Sequence, residues 1–107
     1  MFKMVENPEF THDVPVMVPI DNGHREEKFR CRFRAIPESL ANELIEMEDA
    51  KPFLRRIVVE IMDVVDEADR PVGHSEAMLE QMIAIPYVRI GLSKAYFAAI
   101  SKVRAGN

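Results

Sequence analysis

Residues 10–35, with the sequence FTHDVPVMVPIDNGHREEKFRCRFRA, decide the fold, because apolar and polar residues alternate through both halves of this segment. A period of two is typical of a β-strand with one buried face. The halves are separated by Asp-Asn-Gly-His at residues 21–24. Asn-Gly favours a two-residue type I′ turn, which needs positive φ at both central positions. We therefore predict a β-hairpin over residues 10–35, with Val16 opposite Phe29.

In this register the hairpin has one apolar face and one charged face. The apolar face comprises Phe10, His12, Val14, Val16, Val18, Ile20, Phe29, Cys31, Phe33 and Ala35. A slip of one residue would turn lysine and arginine into the core, so the pattern itself favours this register. Pro15 and Pro19 cannot donate hydrogen bonds to a neighbouring strand, which predicts that the first strand lies at a sheet edge.

After the hairpin, the apolar residues recur at helical spacing instead. It predicts about four helices, over roughly residues 37–48, 49–62, 75–83 and 87–103, with a polar loop at 63–74. Ser75 is a suitable N-cap, and Pro37 suits a first helical turn. The predicted fold class is therefore α+β and mainly α. We expect a single domain over residues 1–107, with an N-terminal arm at 1–9, the hairpin at 10–35 and a helical part at 37–103.

Composition and charge indicate the cellular compartment and the kind of partner that the chain suits. The chain lacks a secretory signal pattern and any run near the ~20 apolar residues that span a membrane. The single cysteine, Cys31, excludes an internal disulfide and fits a reducing, cytoplasmic setting, with its thiol buried on the apolar face. Residues 37–85 carry a net charge of −8 and residues 86–107 one of +4. This asymmetry suits contact between protein copies better than nucleic-acid binding.

No arrangement of residues predicts catalysis. The three histidines, at positions 12, 24 and 74, lack metal-ligand spacing, and the acidic loop at 63–69 lacks that of an EF-hand. The four glycines are too scattered for a phosphate-binding loop. We therefore expect no enzyme activity, no metal and no cofactor.

One dense basic feature occupies the polar face of the second strand. This basic stripe consists of Lys28, Arg30, Arg32 and Arg34. Three interpretations are open: a solvated sheet face, a docking surface for an acidic protein, and a small nucleic-acid-binding regulatory module. Phe29 and Phe33 point to the opposite face, so the aromatic stacking that single-stranded nucleic acids use is missing. Nucleic acid is therefore the least favoured partner.

Apolar side chains on the predicted helices form a second set of candidate partner-binding residues. They are Met47, Phe53, Met62, Met78 and Met82. Methionine repacks easily and is common at adaptable binding surfaces, although it also fills ordinary cores. Both roles are open from the sequence.

Short segments along nearly the whole chain form a further pattern. They are residues 2–3 (Phe-Lys), 7–10 (Asn-Pro-Glu-Phe), 14–16 (Val-Pro-Val), 29–33, 57–59 (Ile-Val-Val), 65–67 (Val-Asp-Glu), 75–79 (Ser-Glu-Ala-Met-Leu), 86–88 (Pro-Tyr-Val) and 95–100 (Ala-Tyr-Phe-Ala-Ala-Ile). Together these segments resemble the tail assembly chaperones of long-tailed bacteriophages and related prophages.

The resemblance implies a non-enzymatic, self-associating protein in the cytoplasm of a bacterial host. Such chaperones coat the helical tape-measure protein and are displaced as tail-tube subunits polymerise. The implied partners are the tape-measure protein, tail-tube subunits and further copies of the chain. The resemblance also implies that this chain corresponds to the shorter of two products made by ribosomal frameshifting.

Overall fold

The computed structural model describes the backbone of residues 1–106 and the side chains of residues 1–101. The elements run β1 (Glu9–Ile20), β2 (Gly23–Arg34), α1 (Glu38–Ile45), α2 (Lys51–Ile57), β3 (Val58–Met62), β4 (Val64–Val65), β5 (Pro71–Val72), α3 (Glu76–Ile83) and α4 (Pro86–Gly106). Strands β1, β2 and β3 form an antiparallel sheet in that order, and β4 pairs with β5. Residues 1–8 lie outside these elements and are exposed.

The prediction of a mainly α fold is wrong. The described part of the chain has four helices and five strands, with 39% of residues helical and 33% in strands. The main error lies at Val58–Met62, predicted as the end of the second helix, which instead forms β3 and pairs with β2. Consecutive β-branched residues at 57–59 restrict side-chain rotation in a helix and suit a pleated sheet.

A second, smaller error concerns the predicted loop at residues 63–74, which contains the short pair of β4 and β5. Asp66 organises the turn between these strands, since its Oδ1 accepts hydrogen bonds from the backbone N–H groups of Ala68 and Arg70 at 2.8 and 3.0 Å. Asp63 and Asp69 adopt positive φ, a conformation that aspartate tolerates better than most residues. The turn is therefore held by aspartate side chains.

The hairpin is confirmed, although its predicted turn is displaced. Val14 lies opposite Phe29, and Ile20 opposite Gly23, so the turn comprises residues 21–22 rather than 22–23. Positive φ falls on Asn22, at 62°. The observed register differs from the predicted one by two residues, an even number, and each side chain therefore keeps its predicted face. The sequence pattern thus specified the faces correctly but not the pairing.

The core lies between the apolar face of the hairpin and the helices. Its most buried large side chains are Val14, Cys31, Phe33, Leu54, Ile57, Ile61, Ile83 and Leu92. Tyr96 of α4 packs edge-on against Phe33 and Phe53, and its hydroxyl accepts a hydrogen bond from the N–H of Ile36 at 3.1 Å. That bond satisfies a polar group at the edge of the core. Ser75 caps α3 as predicted, accepting from the N–H of Met78 at 3.1 Å.

Gly91 is the point of closest approach between α4 and the sheet. A Cβ atom at this position would lie 2.9 Å from the carbonyl oxygen of Pro15 and 3.1 Å from a methyl group of Val16. The first of these atoms belongs to the backbone and cannot move aside by a change of rotamer. The missing side chain of Gly91 therefore allows the helix to lie against β1.

We expect Gly91→Ala to destabilise the protein by about 1–2 kcal/mol, because separating α4 from β1 costs more than alanine's gain in helix propensity. Chemical denaturation followed by circular dichroism measures the change. Gly73→Ala is the matched control, since a Cβ there meets nothing within 4 Å. Equal stability of the two variants would contradict the close-contact argument.

Candidate protein-interaction surfaces

The outer part of the hairpin, residues 17–28, has no third strand beside it. Strand β3 pairs only with Arg30–Phe33 of β2, so Gly23–Phe29 have β1 as their single strand neighbour. Residues 19–28 are all exposed, and the molecule measures 46 × 31 × 30 Å. We call residues 17–28 the hairpin tip.

The direction of the backbone groups in the tip follows from the ladder. The N–H of Ala35 donates to the carbonyl oxygen of Pro8 at 2.8 Å, which extends the β1–β2 register by one pair. Residues that bond the neighbouring strand alternate along an antiparallel pair. Every second residue of β2 therefore directs its N–H and C=O groups away from β1. In the tip these residues are His24, Glu26 and Lys28, and their backbone groups form what we call the free edge.

The edges of β1 and β3 each carry a feature that removes or covers outward hydrogen-bond donors. On β1, Pro15 and Pro19 occupy positions that face away from β2, so neither offers a hydrogen-bond donor there. On β3, the outward N–H of Ile61 donates to Nδ1 of His74 at 3.1 Å. Prolines and covering side chains are common devices against strand addition. The free edge of the tip carries neither device.

The basic stripe lies on the outer face of the sheet, as predicted, and carboxylates accompany most of it. Arg30 donates through Nε and Nη2 to both carboxylate oxygens of Asp63. Arg32 donates to Glu9 at 2.7 Å, and Arg34 lies 3.8 Å from the same carboxylate. Lys28 forms no salt bridge within the described side chains. Local carboxylates thus balance much of the charge, which does not favour a polyanionic ligand.

The hydrogen bond from Arg30, and then its positive charge, hold the pKa of Asp63 below its ordinary value. The same hydrogen bond raises the pKa of the Arg30 guanidinium. Asp63 directly follows β3, so the ion pair ties this end of β3 to the middle of β2. The pair therefore stabilises the sheet at the base of the hairpin tip.

The apolar candidates from the sequence are not brought together on one surface. Met47 is exposed, at 48% of its maximal area, beyond the end of α1. Met62 and Met82 are half-buried. Phe53 and Met78 are buried in the core, at 3% and 4%. Of this set, Met47 alone is exposed.

An open, mainly apolar groove, which the sequence analysis did not identify, lies between β1 and α4. We call it the β1–α4 groove; its volume is about 550 Å³, and it is lined by His12, Asp13, Pro15, Met17, Gly91, Lys94, Ala95, Ala98 and Ala99. An adjoining recess, lined in part by Pro86, Tyr87 and Ile90, continues it toward the hairpin tip. The small residues of α4 were the available signal, and they create this depression beside a strand.

Other chemistry is sparse in the part of the chain that the structure describes. No group of three or more histidine, cysteine, aspartate or glutamate side chains is placed to hold a metal ion there. No single described helix is long and apolar enough to cross a membrane; α3 and the described part of α4 pass that test only as a pair bent by 101°. Comparisons with protein-family models, curated proteins and solved structures find no match.

We expect the ion pair between Arg30 and Asp63 to make stability depend on pH. The pKa of Asp63 is lower in the folded protein than its ordinary value of 3.8. The contribution of Asp63 to the free energy of unfolding is therefore complete above pH 3.8 and disappears as the pH falls through the folded pKa. The stability advantage of the wild type over Asp63→Asn should therefore be constant near neutrality and shrink in acid. Denaturant titrations at several pH values measure it. Asp69→Asn, also at a positive-φ aspartate, is the matched control; identical profiles would contradict the assignment.

Burial raises the pKa of the Cys31 thiol to about 12. Since the thiolate is the reactive form, we expect the native protein at pH 8 to resist a thiol reagent such as DTNB and to release one equivalent after unfolding in urea. Ser39→Cys adds a thiol at an exposed position and should react at once in the native state. Rapid native labelling of Cys31 would show that the core opens more readily than the structure implies.

Proposed function

We propose that this chain is a non-enzymatic assembly chaperone of the phage-tail type, which self-associates and binds the helical tape-measure protein until tail-tube subunits replace it. The observation that supports this proposal best is the open β1–α4 groove, an apolar recess beside a rigid sheet edge. The resemblance in sequence supplies the identity of the client.

The shape of the groove suits one face of a helix. With its adjoining recess it follows α4 from Pro86 to Ala99, a length of about 20 Å or between three and four helical turns. Alanine side chains at positions 95, 98 and 99 leave space for the larger side chains of a client. Amphipathic helices commonly bind such grooves through apolar residues spaced three and four apart.

The chemistry at the rim suits an adaptable and reversible contact. Met17 lies at the mouth of the groove with about half of its side chain exposed, and its flexibility allows it to fit different apolar neighbours. Asp13 and Lys94 also line the groove and offer one charge of each sign. A chaperone that is later displaced needs a contact of this modest kind rather than a deep hydrophobic pocket.

Binding to the client tests this proposal. The tagged chain is co-expressed with the tape-measure protein encoded near it in the same genome, and the soluble, co-purified client is quantified. We expect Ala98→Glu to reduce the retained client by roughly tenfold, because it introduces a charge into an apolar contact. Ala98 is exposed, so the folded chain should tolerate the change.

Ala77→Glu is the matched control. Ala77 is also exposed and lies in the first turn of α3, away from the groove and where a carboxylate is favourable. This variant should retain the client as the wild type does. A wild-type chain that retains no tape-measure protein would refute the function, and equal retention by both variants would refute the groove as its site.

A further inference from the structure

We infer that the free edge of the hairpin tip pairs with the same edge of a second copy, antiparallel and centred on Glu26. The inference rests on the self-association contained in the proposed function and names the surface that produces it. The partner is thus another molecule of this chain rather than a foreign strand.

The length of the free edge matches this arrangement. Strand β2 is unpaired on this side from Gly23 to Phe29, a stretch of seven residues whose central member is Glu26; Arg30 already pairs with Met62 of β3. A two-fold axis at Glu26 therefore lets the whole stretch pair with its counterpart. Each copy's turn would lie beside the end of the other copy's β3, at Met62.

The direction of the backbone groups selects the register. With the axis at Glu26, the outward-facing residue His24 lies opposite the second copy's Lys28, and Glu26 lies opposite its own counterpart. Each such pair exchanges two N–H···O=C bonds, so three pairs provide six. If the register is shifted by two residues in either direction, only two pairs of outward-facing residues lie opposite each other within the unpaired stretch. A shifted register therefore forms fewer backbone hydrogen bonds.

The charges of the tip complement themselves in this register. Arg25 lies opposite the second copy's Glu27, and symmetry repeats the pair. Within one copy Arg25 already donates to Glu27 at 2.8 Å, so the same two charges can exchange partners across the interface. Glu26 lies diagonal to the second copy's Lys28, which offsets the repulsion between the two central glutamates. Each shifted register also places one like-charge pair at the axis, Arg25 opposite Arg25 or Glu27 opposite Glu27, so the number of backbone hydrogen bonds selects among the registers.

The interface lies along β2 and the β1–α4 groove lies along β1; the two share one residue, His24, which also lines the recess that adjoins the groove. Pairing through β2 gives the strand order β1-β2-β2-β1 at the centre of the dimer, with one α4 helix beside each outer strand. Both grooves stay open in this arrangement. Self-association and client binding therefore use largely different residues and can be measured separately.

Sedimentation velocity of the full chain, without client and over a range of concentrations, tests the inference. Glu26→Pro removes an N–H group that the β1–β2 ladder does not use, and should raise the dimer dissociation constant by at least about tenfold, because proline cannot donate to a ladder. Met17→Pro is the matched control: Met17 lies directly opposite Glu26, and its N–H faces the other edge. It should dimerise as the wild type does.

Charge reversal gives a second test, which does not depend on tolerance of proline. Arg25→Glu and Glu27→Arg should each weaken the dimer by roughly tenfold, since each replaces two attractive cross-strand pairs by two repulsive ones. The double variant should recover wild-type association.

A monomeric wild type, unchanged association of Glu26→Pro, or failure of the double reversal to restore dimers would overturn the inference. These outcomes are distinct from failure of the proposed function. A monomer that still retains the tape-measure protein overturns the edge pairing alone, whereas a dimer that retains no client overturns the function alone.

Discussion

Burial of one face of the β1–β2 hairpin against the helices is the interaction on which the rest of this structure depends. An isolated two-stranded hairpin is at best marginally stable in water. Here the valines and phenylalanines of its inner face form the core together with α2, α3 and α4. Gly91 allows α4 to reach the backbone of β1, and β3 adds a third strand beside Arg30–Phe33 of β2. The hairpin tip has no third strand beside it.

This uneven cover is the structural basis of the proposed self-association. Pro15 and Pro19 remove two hydrogen-bond donors from the edge of β1, and His74 covers one donor at the edge of β3, which disfavours strand addition at these positions. The hairpin tip carries neither protection, and its charges are arranged in a pattern that complements itself. The β1–α4 groove offers apolar surface on the opposite side. The proposed self-association edge and the proposed client groove thus lie along different strands of one hairpin.

The parts of the fold that could be predicted from sequence are those that depend on local periodicity and capping. Alternation identified both faces of the hairpin, and a register error of two residues did no harm because two is the period of a strand. Ser75 identified the start of α3. The segment Val58–Met62 was misread, because a short apolar run suits a buried helix and a buried strand equally well. Only the presence of β2 beside it decided between them.

The sequence by itself determined which residues face the core in the hairpin, because side-chain direction follows from position along the strand. Tertiary structure alone decided which backbone groups stay open and which charges are balanced. Asp63 meets Arg30 across 33 positions of chain, and β3 ends just where the free edge begins. Such relations depend on distances between remote segments, and periodicity carries no information about those distances. The candidate interaction surfaces therefore became visible only when the strands and helices had been packed together.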